Sequence, residues 1–251
     1  MSIVQTLWVV WQSPTNRLFY HVGTLSFFNA HYEFRYVKGN NDHLKLNDAI
    51  RNGYILSPAF PDPDKVYKSD QLFPAFNRRL PTPNRADFAE ILKDLGLNEE
   101  CTKMELLEET RGRLANDTYS FERPLRVEKD EKVHTSFYIH GMRHRELPSE
   151  WPTWLNVDSE VVLKRESDHP VDPNAVAIHT LSGKHIGYVP GFYANGVSAL
   201  LDNGAIPLVK VKSINADSTP HWWVKVSFEC DIPVPKEQIG YDFEAIIEIA
   251  S

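Results

Sequence analysis

The chain has 251 residues, 42% hydrophobic and 24% charged, with a formal net charge of −7. That length holds one large or two ordinary domains, and the composition is that of an ordinary soluble globular protein. No apolar run reaches the roughly 18 residues a spanning helix needs, no basic leader is present, and Cys101 and Cys230 stand far apart; a membrane span, a signal peptide and a disulfide framework are not expected, and the reading places the chain in a bacterial or bacteriophage cytoplasm.

In chain order, Ile3–Trp11 is β-branched, aromatic and almost uncharged, as in a buried strand. A turn cluster at Ser13–Asn16 leads to a second strand over Leu18–Phe27. In His31–Val37, Tyr32, Phe34 and Tyr36 alternate with polar residues, the pattern of a strand with one face buried. Three such strands in a row predict an antiparallel meander. A short helix follows, capped by Asp42, with Leu46, Ala49 and Ile50 on one face and a stop at Gly53.

Residues 58–83 carry six prolines and sustain no helix or strand period. Phe60, Tyr67, Phe73 and Phe76 lie among turn formers there. The stretch reads either as an irregular connection pinned to the sheet by its aromatics or as a binding loop. Asn84 is placed to cap a helix with Phe88, Ile91, Leu92 and Leu95 on its apolar stripe. Thr102 and Glu105 form a capping box for Lys103–Thr110, and Asp117–Phe121 returns as a strand.

Glu122–Thr135 is charged, contains Pro124 and has no sustained period, so the boundary falls there: a domain at 1–125, a linker at 126–135 and a second domain at 136–251. In the second domain Phe137–Gly141 reads as a strand. Val161–Leu163, Ala175–Ile178 and Ile186–Tyr188 are further strands around a polar corner at Glu166–Asn174. Gly191–Asp202 is a helix with Tyr193, Val197, Leu200 and Leu201 on its stripe. Ile206–Ile214 and Trp222–Cys230 alternate as an antiparallel pair, with one indole of Trp222–Trp223 on each side of the strand. A tail with a strand pattern at Phe243–Ile249 covers the sheet or pairs with its edge. The fold class is α+β: an N-terminal antiparallel sheet with helices, then a small β-barrel with one or two helices.

Charge is unevenly shared. Residues 1–127 carry 16 basic and 16 acidic side chains, residues 128–251 carry 11 and 18. Sequence-independent nucleic-acid binding rests on phosphate neutralisation, so any such site in the second half is local, with Arg143, Arg145, Lys164 and Arg165 as its candidates. No nucleophile elbow, zinc-protease helix, phosphate loop or Cys-x-x-Cys occurs. The ten histidines are scattered, and His140 and His144 sit on strand and loop rather than one helix face. Neither catalysis nor a metal or other cofactor is expected.

Two stretches resemble known families. Arg165-Glu166, Pro170-x-Asp172-x-Asn174-Ala175, Gly183 and Ile186-Gly187-Tyr188 together resemble a HIRAN domain, a small barrel found in some DNA-repair translocases and in stand-alone bacterial proteins. The likeness spans Phe137–Asn203. It implies a grip on the 3′ end of a DNA single strand. Arg143 matches the family's arginine. His144 and Arg145 stand where aromatics are usual, and Val171 replaces the corner aromatic. Asp172 keeps the acid, Asn174 the amide, and Tyr188 falls on the later strand. Asp172 and Asn174 are equally residues that hold a tight corner through backbone amides.

The first half is similar to the small N-terminal subdomain of HipA-type kinases through His21-Val22-Gly23-Thr24-Leu25, Leu72-Phe73-Pro74-Ala75-Phe76 and Arg78-Arg79-Leu80-Pro81. No catalytic loop follows, so kinase activity is not implied. The likeness implies a protein-binding surface at Phe73, Phe76, Arg78 and Arg79, with a HipA-type kinase as partner. The expected function is a non-catalytic module in which the barrel binds a DNA end or single strand and the first domain recruits a protein. The alternative is an antitoxin-like or adaptor regulator of such a kinase without DNA binding.

Overall fold

The computed structural model of the chain describes residues 5–38, 44–115, 117–127 and 132–233. It divides into two compact units, residues 1–124 and 125–251.

The first unit is built on β1 (Gln5–Gln12), β2 (Phe19–Phe28) and β3 (His31–Tyr36), the meander expected from the sequence. β4 (Tyr67–Ser69) pairs with β3 and β5 (Tyr119–Glu122) with β1, so the sheet order is β4-β3-β2-β1-β5. Its helices are α1 (Leu46–Arg51), α2 (Pro74–Asn77), α3 (Phe88–Asp94) and α4 (Lys103–Thr110). The capping box of α4 is present, with Thr102 Oγ1 accepting from Glu105 N and Glu105 returning the bond to Thr102 N. Asn84 does not cap α3. Its N-cap position is Asp87, which makes no side-chain cap bond and instead pairs with Arg85. Asp42 lies outside the described residues.

The proline-rich stretch contains one short strand and one turn of helix that its sequence does not announce, and its aromatics go inward. Phe60, Phe73 and Phe76 are buried around Phe34, with ring centroids 4.4 to 6.0 Å apart along the cluster. Tyr36 Oη donates to Phe60 O at 2.9 Å and accepts from Ser57 N at 3.1 Å. The stretch is therefore a core layer whose irregular backbone is fixed by side-chain bonds.

That burial corrects the surface expected from Phe73, Phe76, Arg78 and Arg79. The two rings belong to the core, and Arg79 is buried, donating to Gly112 O at 3.0 Å and paired with Asp117. Arg78 alone of the four is exposed. The apolar rings gain more by joining the aromatic core than by facing water. A second internal ion pair joins Arg111, in the left-handed region at φ 55°, to Glu122 on β5.

The second unit holds β6 (Arg126–Val127), β7 (Lys132–Tyr138), β8 (Glu160–Arg165), β9 (Val176–Thr180), β10 (His185–Tyr188), α5 (Gly191–Asp202), β11 (Leu208–Ile214) and β12 (Val224–Asp231). All pairs are antiparallel, in the order β10-β9-β8-β11-β12-β7-β6. The stretch 126–135 taken from sequence as a linker thus contains β6 and the first four residues of β7. Half-exposed Lys132 and His134 alternate there with buried Val133 and Thr135, and the β7 backbone pairs with β12. Past β7 the chain meets β10 again at an isolated bridge between His140 and Tyr188. The six strands from β7 round to β10 thereby curl into a half-barrel whose ends meet at one bridge.

Strict alternation on β7 and β12 sends Val133, Phe137, Val226 and Phe228 inward. Val161, Ile178, Ile186 and, on α5, Tyr193, Val197 and Leu200 are buried as well, the Phe137 and Tyr193 rings 5.7 Å apart, while Leu201 is only half-buried. β12 starts at Val224, later than its sequence pattern indicates. Pro220 opens a 3-10 turn over Pro220–Trp222, and Trp223 Nε1 donates to Ser218 O at 2.9 Å. Both indoles are half-buried, Trp223 against Trp151 and Trp222 against Tyr138. The strand expected at Phe243–Ile249 lies outside the described residues. No helix among the described residues is long and apolar enough to cross a membrane.

Candidate nucleic-acid interface

Three short segments frame one rim of the second unit: the chain leaving the bridge at His140, the corner between β8 and β9, and the hairpin between β9 and β10. Their relation is set by Gly187. A Cβ there would lie 2.5 Å from His140 O and 2.6 Å from Ile139 Cγ2, so only glycine lets β10 approach closely enough for the bridge. A register shift sits at the same place: His185 faces His179, yet Gly187 faces Ile178 and Tyr188 faces Ala177. The extra residue re-aims the strand, as bulges do. His185 and Tyr188, three apart, are both half-exposed and their rings meet at 4.8 Å, while Ile186 is buried.

After the bridge, Gly141 at φ 72° turns the chain into a 3-10 turn, Met142–His144. Met142 is buried beneath it, and Arg143 and His144 are exposed, Arg143 Nε donating to His144 Nε2 at 2.9 Å. Arg145 then lies against β10. Its Nη1 donates to His185 Nδ1 at 3.0 Å and to Tyr188 Oη at 3.3 Å, with the guanidinium 5.5 Å from the Tyr188 ring centre. Tyr188 Oη in turn donates to Glu166 Oε2 at 2.9 Å, and His169 meets the same ring edge-on at 5.2 Å. Burial foremost, with the Glu166 bond, raises the Tyr188 phenol above its ordinary range. Lys164, exposed on β8, is close enough to His179 to disfavour its protonation.

The corner is held from within. Asp172 is 9% exposed; its Oδ1 accepts from Asn174 N at 2.8 Å and its carbonyl from Ala175 N at 3.0 Å. His169 Nδ1 faces Val171 N and Asp172 N, each at 3.3 Å. Ser198 Oγ donates to Asn174 Oδ1 at 3.5 Å, tying the corner to α5. Arg165 is a clamp: its fork meets Asp202 at 3.0 and 3.2 Å, and Nη1 donates to Pro173 O and Ala175 O. Val171, by contrast, is 57% exposed at the tip.

Of the eight residues expected to touch nucleic acid, Arg145 and Tyr188 are in contact, and Lys164, Arg143 and His144 are exposed on the segments that frame them. Arg165, Asp172 and Asn174 spend their polar groups on the corner itself. Glu166, His169, His179 and His185 were not foreseen as site residues. For His179 and His185 the signal was present in the hairpin register, which sets the two opposite each other so that the rings stack at 4.6 Å. Sequence spacing alone made them look scattered. Among the described residues no three His, Cys, Asp or Glu side chains are placed to hold a metal ion.

The charge balance also changes with position. Residues 132–233 carry 9 basic and 11 acidic side chains. Most of the acidic excess of the second half is therefore contributed by residues 128–131 and 234–251, which are not among the described residues.

Residues 132–235 match the sequence model of the HIRAN domain. Two solved structures are similar at low identity. The HIRAN domain of human HLTF is 18% identical with a TM-score of 0.33, covering 41% of this chain and 81% of that one. A protein from Lactobacillus plantarum is 21% identical with a TM-score of 0.33, covering 40% and 98%. No curated protein matches the chain. A relation of the first unit to HipA-type kinases finds no support among these matches. The family match therefore supports a HIRAN domain at residues 132–235 of the second unit.

Proposed function

We propose that the second unit is a non-catalytic nucleic-acid-binding module that takes a single strand or a strand end along the rim of Arg143, Arg145, Lys164 and Tyr188. The observation that carries this reading is Arg145 held 5.5 Å from the Tyr188 ring centre and bonded to its hydroxyl. A guanidinium fixed in that way presents donors to a phosphate, and an aromatic beside it offers a surface to a sugar or base. Arg143 on the adjacent turn extends the positive rim. The HIRAN match at residues 132–235 supports this reading, since the resemblance above implies a grip on DNA 3′ ends. Val171 removes one stacking platform, so phosphate and hydroxyl contacts dominate over stacking.

Fluorescence anisotropy with a labelled single strand, the same strand carrying a 3′-phosphate, and a blunt duplex tests the reading. Single strand is expected to bind more tightly than duplex, and Arg145→Gln to weaken it. Absence of binding to all three at moderate salt would overturn it. Recruitment of a protein by the first unit has little to stand on, because Phe73, Phe76 and Arg79 are spent in its interior.

A further inference from the structure

Two imidazoles lie side by side at this rim, and neither belongs to the expected set of binding residues. The His179 and His185 rings stack at 4.6 Å with 28° between their planes, across the register pair that joins β9 to β10. The hydrogen bonds of His185 define its tautomer. Arg145 Nη1 can only donate, so His185 Nδ1 accepts at 3.0 Å; Nε2 then carries the proton and donates to Gly187 O at 3.0 Å. Neutral His185 is therefore a latch that holds Arg145 down onto β10. Protonated His185 turns an N–H toward a guanidinium N–H, and the latch opens.

The charged and titratable groups facing the pair come from every element around it. Arg145 approaches from the turn after β7 and Lys164 from β8. Glu166 comes from the exit of β8, with Oε1 4.0 Å from His185 Nδ1. His169 comes from the corner, and Tyr188 lies on β10. Two cationic side chains against one carboxylate leave the rim unfavourable for further positive charge.

We propose that His179 and His185 form a proton-linked phosphodiester contact, at which a bound strand is accompanied by protonation of the imidazole pair and release of Arg145 to the backbone. This rests on the nucleic-acid reading above and adds to it the residues and the proton. A phosphodiester is a monoanion throughout the range in which imidazole titrates, so the proton is taken up by the protein. The anion offsets the repulsion from Arg145 and Lys164 and makes the charged ring favourable.

The resting state agrees with this. Burial, then Lys164, lowers the His179 pKa, and burial, then Arg145 and His179, lowers that of His185. Both rings are neutral near pH 7 in the free protein. An anion that raises their pKa makes affinity grow as pH falls through the raised value. The gain levels off once pH passes below the lowered value of the free protein.

The test uses the full chain and a labelled oligothymidine single strand, whose bases do not titrate in this range. Binding is titrated against salt at about pH 6 and about pH 8, for wild type and for His179→Gln with His185→Gln. Affinity is expected to rise about tenfold from pH 8 to pH 6, and the slope of log K against log salt to steepen by roughly 0.7 for each proton taken up. In the double variant the steepening between pH 8 and pH 6 is expected to disappear, and a steepening that survives both substitutions overturns the proposal. Binding with the same salt slope at both pH values in wild type overturns this proposal and leaves the nucleic-acid reading standing. No binding at either pH removes both. The wild-type comparison needs no substitution, so a misfolded variant does not blunt the test.

Discussion

His140 and Tyr188 exchange both backbone hydrogen bonds, His140 N to Tyr188 O at 2.9 Å and Tyr188 N to His140 O at 2.8 Å. This pairing joins the two ends of the curled sheet and carries the turn bearing Arg143 and Arg145 to the strand that bears His185 and Tyr188. Closure of the fold and assembly of the rim are the same event.

Gly187→Ala is therefore expected to damage both. The added Cβ meets backbone at 2.5 Å, and a backbone atom cannot rotate away as a flexible side chain can. A loss of about 2–3 kcal/mol is expected, within the range for strained core substitutions. Amide hydrogen exchange should show faster exchange at His140 and Tyr188 than at the β7–β12 pairs. Unchanged protection at those two amides would mean that the bridge does not depend on the glycine.

Arg145 and Arg165 are expected to behave differently although both were read as phosphate ligands. Arg145→Gln should weaken single-strand binding about tenfold and reduce the salt slope by roughly 0.7, with little change in stability. Arg165→Ala removes the fork to Asp202 and two carbonyl partners. It should lower stability by about 1–2 kcal/mol and leave the salt slope intact. Thermal melting paired with salt titration separates the two effects.

The Arg111–Glu122 pair is expected to be costly to break singly. Their side chains are 5% and 7% exposed. Glu122→Gln leaves a buried guanidinium without its counter-charge, a loss of about 3–5 kcal/mol. Arg111→Met combined with Glu122→Leu should recover most of it, because neither charge is then left buried alone. Chemical denaturation of the three variants checks the order.

The two thiols should differ in reactivity. Cys230, 1% exposed on β12, has its thiol pKa pushed up to about 12, chiefly by burial and then by the Asp231 carboxylate. Cys101 is also raised, chiefly by burial, but is half-exposed. At about pH 8 iodoacetamide should label Cys101 first and Cys230 only when the sheet opens, since the thiolate is the reactive form. Intact-mass analysis with and without denaturant counts the labels.

Local pattern carried much of the architecture. Alternation at Tyr32, Phe34 and Tyr36, and again at Val224, Val226 and Phe228, marks one buried face whatever the partner strand is. The Thr102–Glu105 box marks a helix start because its bonds span only three residues. The HIRAN-like order of residues around Pro170–Tyr188 was likewise legible, because a tight corner and a close-approach glycine constrain residue type locally.

The fate of individual polar side chains was decided by tertiary structure. Arg145 and Arg165 are the same residue type at two ends of one expected site. One faces Tyr188 and the other is consumed by Asp202, because α5 returns its C-terminal end to the corner. Phe73 and Phe76 read as surface anchors, yet join Phe34 and Phe60 because the proline-rich chain folds back over the sheet. His179 and His185 become neighbours only through hairpin register. Sequence by itself determined which faces are apolar, since burial follows periodicity along one segment. Which charges remain available to a ligand depended on residues far apart in the chain, and that only the closed sheet decided.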